Sequence, residues 1–156
     1  MSKNRERWII KAGSSLVAGN DDGINKLFIK NLVLQVNQLL EEGIQVIIVS
    51  SGAVAKGMYE LNLNERPSSL NLLQAAAAIG QLGLIDSYKS EFSNFEIKTA
   101  QVLISQDDIV NRERYLNARN SLMTLLELGV VPIINENDSV SIEEISFGDN
   151  DTLAGA

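Results

Sequence analysis

Three short polar segments carry the residues best suited to chemistry. Lys11 leads into Ala12-Gly13-Ser14-Ser15, a small-residue turn whose backbone N–H groups can approach an anion while the ammonium offsets its charge. Ser50-Ser51-Gly52-Ala53 offers two hydroxyls and the exposed N–H groups of a helix start, which suit a carboxylate or a phosphate. Asn135-Glu136-Asn137-Asp138 gathers two amides and two carboxylates, and Asp138 could pair with an ammonium group. Further on, Asp149-Asn150-Asp151 could hold an ammonium group, bind magnesium through water or orient a lysine; these oxygen ligands favour hard cations over zinc.

Each segment also has a plainer explanation. Lys11 would serve as a turn lysine in solvent, and its spacing to the following glycine is not that of a Walker A loop. Ser51-Gly52 would serve as an ordinary helix cap, Asn135 to Asp138 as a turn, and Asp149 to Asp151 as another cap. Arg112, Glu113, Arg114 and Arg119 read as a solvated helix face without a catalytic role.

Composition narrows the chemistry further. The chain has neither cysteine nor histidine, which excludes disulfides, thiol nucleophiles, imidazole bases and His or Cys metal sites. Catalysis would have to use Lys, Asp, Glu, Ser, Asn, Arg or Tyr. Thirteen Lys and Arg against 20 Asp and Glu give a net charge of -7, and without a basic run this argues against a nucleic-acid footprint or an anionic-membrane patch. No apolar stretch approaches the roughly 18 residues of a membrane-spanning helix, and the polar start from Met1 to Arg7 does not resemble a leader, so a cytoplasmic protein is expected. With 156 residues, 45% of them hydrophobic and 21% charged, the chain should fold as one domain with a true core.

The elements that must position these segments follow from periodicity. Trp8-Ile9-Ile10 reads as a first strand running into the Lys11 turn. Phe28, Ile29, Leu32, Val36, Leu39 and Leu40 recur at helical spacing between Ile24 and Glu42, with Gly43 placed as a C-cap. Val46 to Val49 is β-branched and apolar on both faces, which suits an inner strand of a parallel sheet, and a further helix can begin at Ser50 to Ala53.

Ser68 or Ser69 should cap a long helix through Leu73, Ala76, Ile79, Ile85 and Tyr88. Gly80 and Gly83 would weaken that helix by about 1 kcal/mol each relative to alanine, and close helix packing or an oligomer contact would explain them. A third strand is expected over Thr99 to Ile104, a helix from about Asp108 to Leu128 closed by Gly129, and a fourth strand over Val130 to Ile134. Four alternations of strand and helix predict an α/β fold, a three-layer α/β/α sandwich with a mainly parallel sheet and right-handed crossovers. Parallel strands would bring the three polar segments to one rim, at the carboxyl ends of the strands where ligands collect. The final segment from Gly148 reads as a helix start that stops after about one turn.

Taken in order, Ile10 to Ser15, Val49 to Ala55, Ala77 to Gln81, Ile133 to Asp138 and Gly148 to Asp151 resemble the glutamate 5-kinases within the amino acid kinase family, collinearly from about Ile9 to Leu153. Asn111 to Arg119 also looks like the corresponding segment of those enzymes and separates the chain from aspartate, carbamate and acetylglutamate kinases. The resemblance implies ATP-dependent phosphorylation of the L-glutamate side-chain carboxylate, the first step toward proline, with Mg2+ as companion of ATP. It implies that Lys11 contacts the ATP phosphates and stabilises the transferring group, that Ser51, Asp138 and Asn150 bind glutamate, and that Asp151 orients the catalytic lysines. It also implies feedback inhibition by proline, while the long helix from Ser69 to Phe92 leads to the expectation of a homo-oligomer. In this family a nucleotide-binding half with a second lysine and a Gly-rich segment follows, so residues 1–156 read as the amino-terminal, amino-acid-binding part of the kinase domain, inactive alone. A kinase of another small carboxylate or carbamate, a non-catalytic amino-acid-binding or regulatory module, and a purely structural α/β domain are the alternatives.

Overall fold

Strand and helix alternate along the chain because β-branched runs alternate with amphipathic stretches, and the two patterns bury different faces. The structure, a computed structural model, describes residues 5–138 and 154–155. Its elements are β1 (Arg7–Ala12), α1 (Ser14–Val17), β2 (Ala18–Asp21), α2 (Lys26–Glu41), β3 (Gln45–Ser50), α3 (Ala53–Glu60), α4 (Leu70–Ser93), β4 (Thr99–Ile104), α5 (Gln106–Val110), α6 (Arg112–Glu127) and β5 (Val131–Glu136).

Four strands form a sheet in the order β1-β3-β5-β4, every neighbouring pair parallel. β3 is an inner strand, as its composition requires. Val46 and Ile48 point into one core with α2 and α4, while Ile47 and Val49 point into a second with α6. Burying side chains of this size contributes about 2 kcal/mol each, and β3 is anchored on both faces. The larger core includes Ile29, Val33 and Val36 of α2 and Leu84, Tyr88 and Phe92 of α4. Helices on both faces make the expected α/β/α sandwich. Among the described residues, no helix is long and apolar enough to cross a membrane.

Several boundaries differ from the periodicity. Trp8 and Ile9 of β1 are exposed, because β1 lies at an edge of the described sheet. Between β1 and α2 the chain makes the short α1 and an antiparallel bridge, Ala18 to Ile24, around a turn with positive φ at Asp22 and Gly23. Helix α2 begins at Lys26 instead of Ile24, because Asn25 accepts a hydrogen bond from the N–H of Phe28 and caps it. Ser69 is the N-cap of α4, but its side chain makes no capping hydrogen bond.

The single helix expected from Asp108 to Leu128 is two. The Asn111 side chain accepts from the N–H groups of Glu113 and Arg114, which ends α5 and starts α6. Arg112, Glu113, Arg114 and Arg119 are exposed, and Arg114 pairs with Asp108 at 3.4 Å. The last strand runs to Glu136, so Asn135 and Glu136 belong to β5, and only Asn137 and Asp138 lie beyond it.

Close packing accounts for the glycines of α4. A Cβ on Gly80 would overlap the backbone of Ala53 and Gly57, and one on Gly57 would overlap the backbone of Ala76. Helices α3 and α4 therefore touch backbone to backbone. A Cβ on Gly83 would meet Lys56 and Glu60, which pair at 3.1 Å.

Candidate functional site

The parallel sheet brings Lys11, Ser51 and Asp138 to the same rim. Ala12 pairs with Ser50 across β1 and β3, and the N–H of Ser51 donates to the carbonyl of Ala12 at 2.9 Å, carrying the ladder one residue past the strand. Val49 pairs with Ile134 and Ile104 with Glu136, which sets the ends of β3, β5 and β4 level. The N–H of Asn137 then donates to the carbonyl of Ile104 at 3.0 Å. Three of the five expected site residues are thus adjacent by topology, while Asn150 and Asp151 lie outside the described residues.

The three differ in environment. Lys11 is exposed, and the flank of Gly13 beside it is open, with no atom within 4 Å of where a Cβ would stand. Ser51 is buried, and it precedes Gly52, the N-cap of α3, whose φ of 115° lies in the left-handed region that favours glycine. A side chain there would also strike Val17 at 2.7 Å. The first-turn N–H groups of α3 have no acceptor within the helix and give this end a partial positive charge.

Asp138 is half-buried, and its pKa is pushed up to about 6, first by burial and then by the charge of Glu136, with Arg66 pulling the other way. An ammonium group beside it would relieve both unfavourable effects.

Next to Asp138 opens a cleft of about 290 Å³, walled by Ala53, Ala77, Gln81, Glu136 and Asn137 among others. This volume suits a small polar metabolite, and the alanines leave the room. Gln81 is a residue to which the sequence reading gave no role. It is buried in α4, and its Oε1 accepts from Asn135 Nδ2 at 2.8 Å. One sign of it was available: Leu73, Ala77, Leu84, Tyr88 and Phe92 share a buried stripe, and Gln81 is the polar member of it. Lys56 went equally unread. It is buried against Glu60, with its Nζ 5.7 Å from the centre of the Tyr59 ring. A second cleft, about 420 Å³, lies beside it, where Lys26 pairs with Asp22 and Lys56 with Glu60, and Asp86 and Glu91 add two further acids.

The pattern of the amino acid kinase family matches residues 6–156. The chain is 55% identical over 148 residues to the glutamate 5-kinase of Hydrogenovibrio crunogenus, covering 95% of this chain and 39% of that protein. It is 53% identical over 147 residues to the glutamate 5-kinase of Methylococcus capsulatus, covering 94% and 39%. With the glutamate 5-kinase of Saccharophagus degradans it shares 53% identity over 151 residues, covering 97% and 40%. The chain therefore spans about 40% of the length of the curated relatives it matches. A match over nearly its whole length, on a parallel sheet with the polar segments at one rim, has one consequence: the chain belongs to the amino acid kinase family.

Proposed function

We propose that this chain supplies the amino-acid-binding part of an ATP-dependent glutamate 5-kinase, which phosphorylates the side-chain carboxylate of L-glutamate on the route to proline. The observation that carries this reading is the convergence of Lys11, Ser51 and Asp138 on one rim, in a chain more than half identical to proteins named glutamate 5-kinase.

A carboxylate oxygen of glutamate attacks the γ-phosphorus of ATP, the bond to the β-phosphate bridging oxygen breaks, and ADP leaves with that electron pair. The carboxylate is already ionised at neutral pH, so no general base is required and a site without histidine is sufficient. The difficulty is two anions meeting. Lys11, exposed beside the open flank of Gly13, fits phosphate oxygens, and its charge would offset repulsion in the transition state. Magnesium would ride on the phosphates, as it commonly does with ATP. Ser51 and Asn150 would bind glutamate, Asp138 would take its ammonium group, and Asp151 would orient lysine.

The remaining roles stand on the same resemblance. Adenine binding would belong to a nucleotide-binding part outside these residues, so residues 1–156 alone should turn over ATP negligibly. Proline as feedback inhibitor, a homo-oligomer and a cytoplasmic location complete the reading. The test is magnesium-dependent ADP release with acyl-hydroxamate trapping by the full reading frame containing this chain, offering glutamate, aspartate and N-acetylglutamate in parallel. Signal with glutamate alone is expected. A folded protein silent with all three would favour a non-catalytic amino-acid-binding module.

A further inference from the structure

The buried amides of Asn135 and Gln81 form a relay whose direction is fixed. The N–H of Glu136 can only donate, and it donates to Asn135 Oδ1 at 2.9 Å. Asn135 must then present Nδ2 to Gln81, at 2.8 Å, and Gln81 must answer with Oε1. Exchanging oxygen and nitrogen in either amide would set like against like. Gln81 Nε2 is left buried and without an acceptor among the described residues. Natural structures rarely leave such a donor unpaired.

Gln81 is only 9% exposed and forms part of the wall of the cleft beside Asp138. The cleft's ionisable groups, Glu136 and Asp138, are both acids and suit an ammonium group, not a carboxylate. An amino acid brings both charges, so its carboxylates need donors from elsewhere. Ala53, Ala77 and Ala78 leave space in the same cleft. We infer that Gln81 donates a hydrogen bond from Nε2 to a carboxylate oxygen of the bound amino acid, and so helps determine which acid the site accepts. The inference rests on the proposed glutamate reading.

Gln81→Glu in the full-length protein removes the donor while keeping an oxygen for Asn135, but adds a negative charge, so Gln81→Met, which lacks the donor without that charge, is measured beside it. Steady-state ADP release with glutamate and ATP varied in turn should show the glutamate KM raised about tenfold or more, the scale of a lost hydrogen bond to a charged group, while the KM for ATP stays within about twofold. Gln81→Met also removes the oxygen to which Asn135 donates, and it is the variant read should a buried carboxylate prevent folding. An unchanged glutamate KM in either folded variant overturns the inference, as do equal rises for both substrates, which would mark a structural role. A wild-type protein silent with glutamate would instead sink the kinase reading, so the two failures are distinguishable.

Discussion

The Tyr88 hydroxyl lies 2.9 Å from Ser50 Oγ, with both side chains fully buried. Ser50 Oγ also lies 3.0 Å from the carbonyl of Ser51, to which it donates. Its one proton is thereby used, so Tyr88 donates to Ser50. A residue from the C-terminal part of α4 thus fixes the peptide that carries Ser51 onto the rim, and helix packing is linked directly to the site.

Tyr88→Phe should remove about 1 kcal/mol of stability, read by urea denaturation at neutral pH. Burial pushes the Tyr88 pKa from 10.0 up to about 12. A folded pKa raised above the unfolded value means that the stability it contributes is fully present below pH 10 and is lost as pH rises from 10 to 12. The variant should show a shallower alkaline decline than the wild type over that window.

Asp138 predicts two opposite pH effects. Its pKa is raised from 3.8 to about 6, so the ligand-free protein should lose stability as pH rises across that interval and level off above it. Binding of an ammonium group needs the ionised form. The glutamate KM should therefore rise as pH falls below about 6. Asp138→Asn should flatten both profiles while raising the KM at every pH.

Gly57→Ala and Gly80→Ala should each destabilise the protein by about 2 kcal/mol or more, because the added methyl group meets backbone that cannot rotate away. Gly13→Ala is the contrast. Its φ of -72° suits any residue and its flank is open, so its stability should stay within about 0.5 kcal/mol of the wild type. Thermal denaturation of the three variants side by side checks both statements.

Lys11→Met should leave stability almost unchanged, since the side chain is exposed, yet lower kcat by about 10²- to 10³-fold in the full-length protein if it stabilises the transferring phosphoryl group. A kcat within twofold of wild type would remove Lys11 from the mechanism.

Much of the fold was legible because it rests on local patterns. The apolar run from Val46 to Val49 has only one comfortable place, the inside of a sheet covered on both faces, and the structure puts it there. The convergence of Lys11, Ser51 and Asp138 was equally readable, since parallel strands share a direction and their carboxyl ends form one rim. Asn111 escaped because a polar residue inside a helical pattern can be a surface position or a cap, and periodicity alone does not distinguish them.

The sequence by itself determined residue chemistry and element order: a histidine-free, cysteine-free chain with a lysine, a serine and an aspartate close to the carboxyl ends of successive strands. Tertiary structure alone decided what depends on contacts between distant segments. The purpose of Gly80 is to admit the backbone of α3, and that of Ser50 is to receive a proton from Tyr88, 38 residues away. Gln81 became a candidate donor only when Asn135, 54 residues later, claimed its oxygen. A hydrogen bond is directional and a van der Waals contact is short-ranged, so neither exists until the chain has brought its partners together.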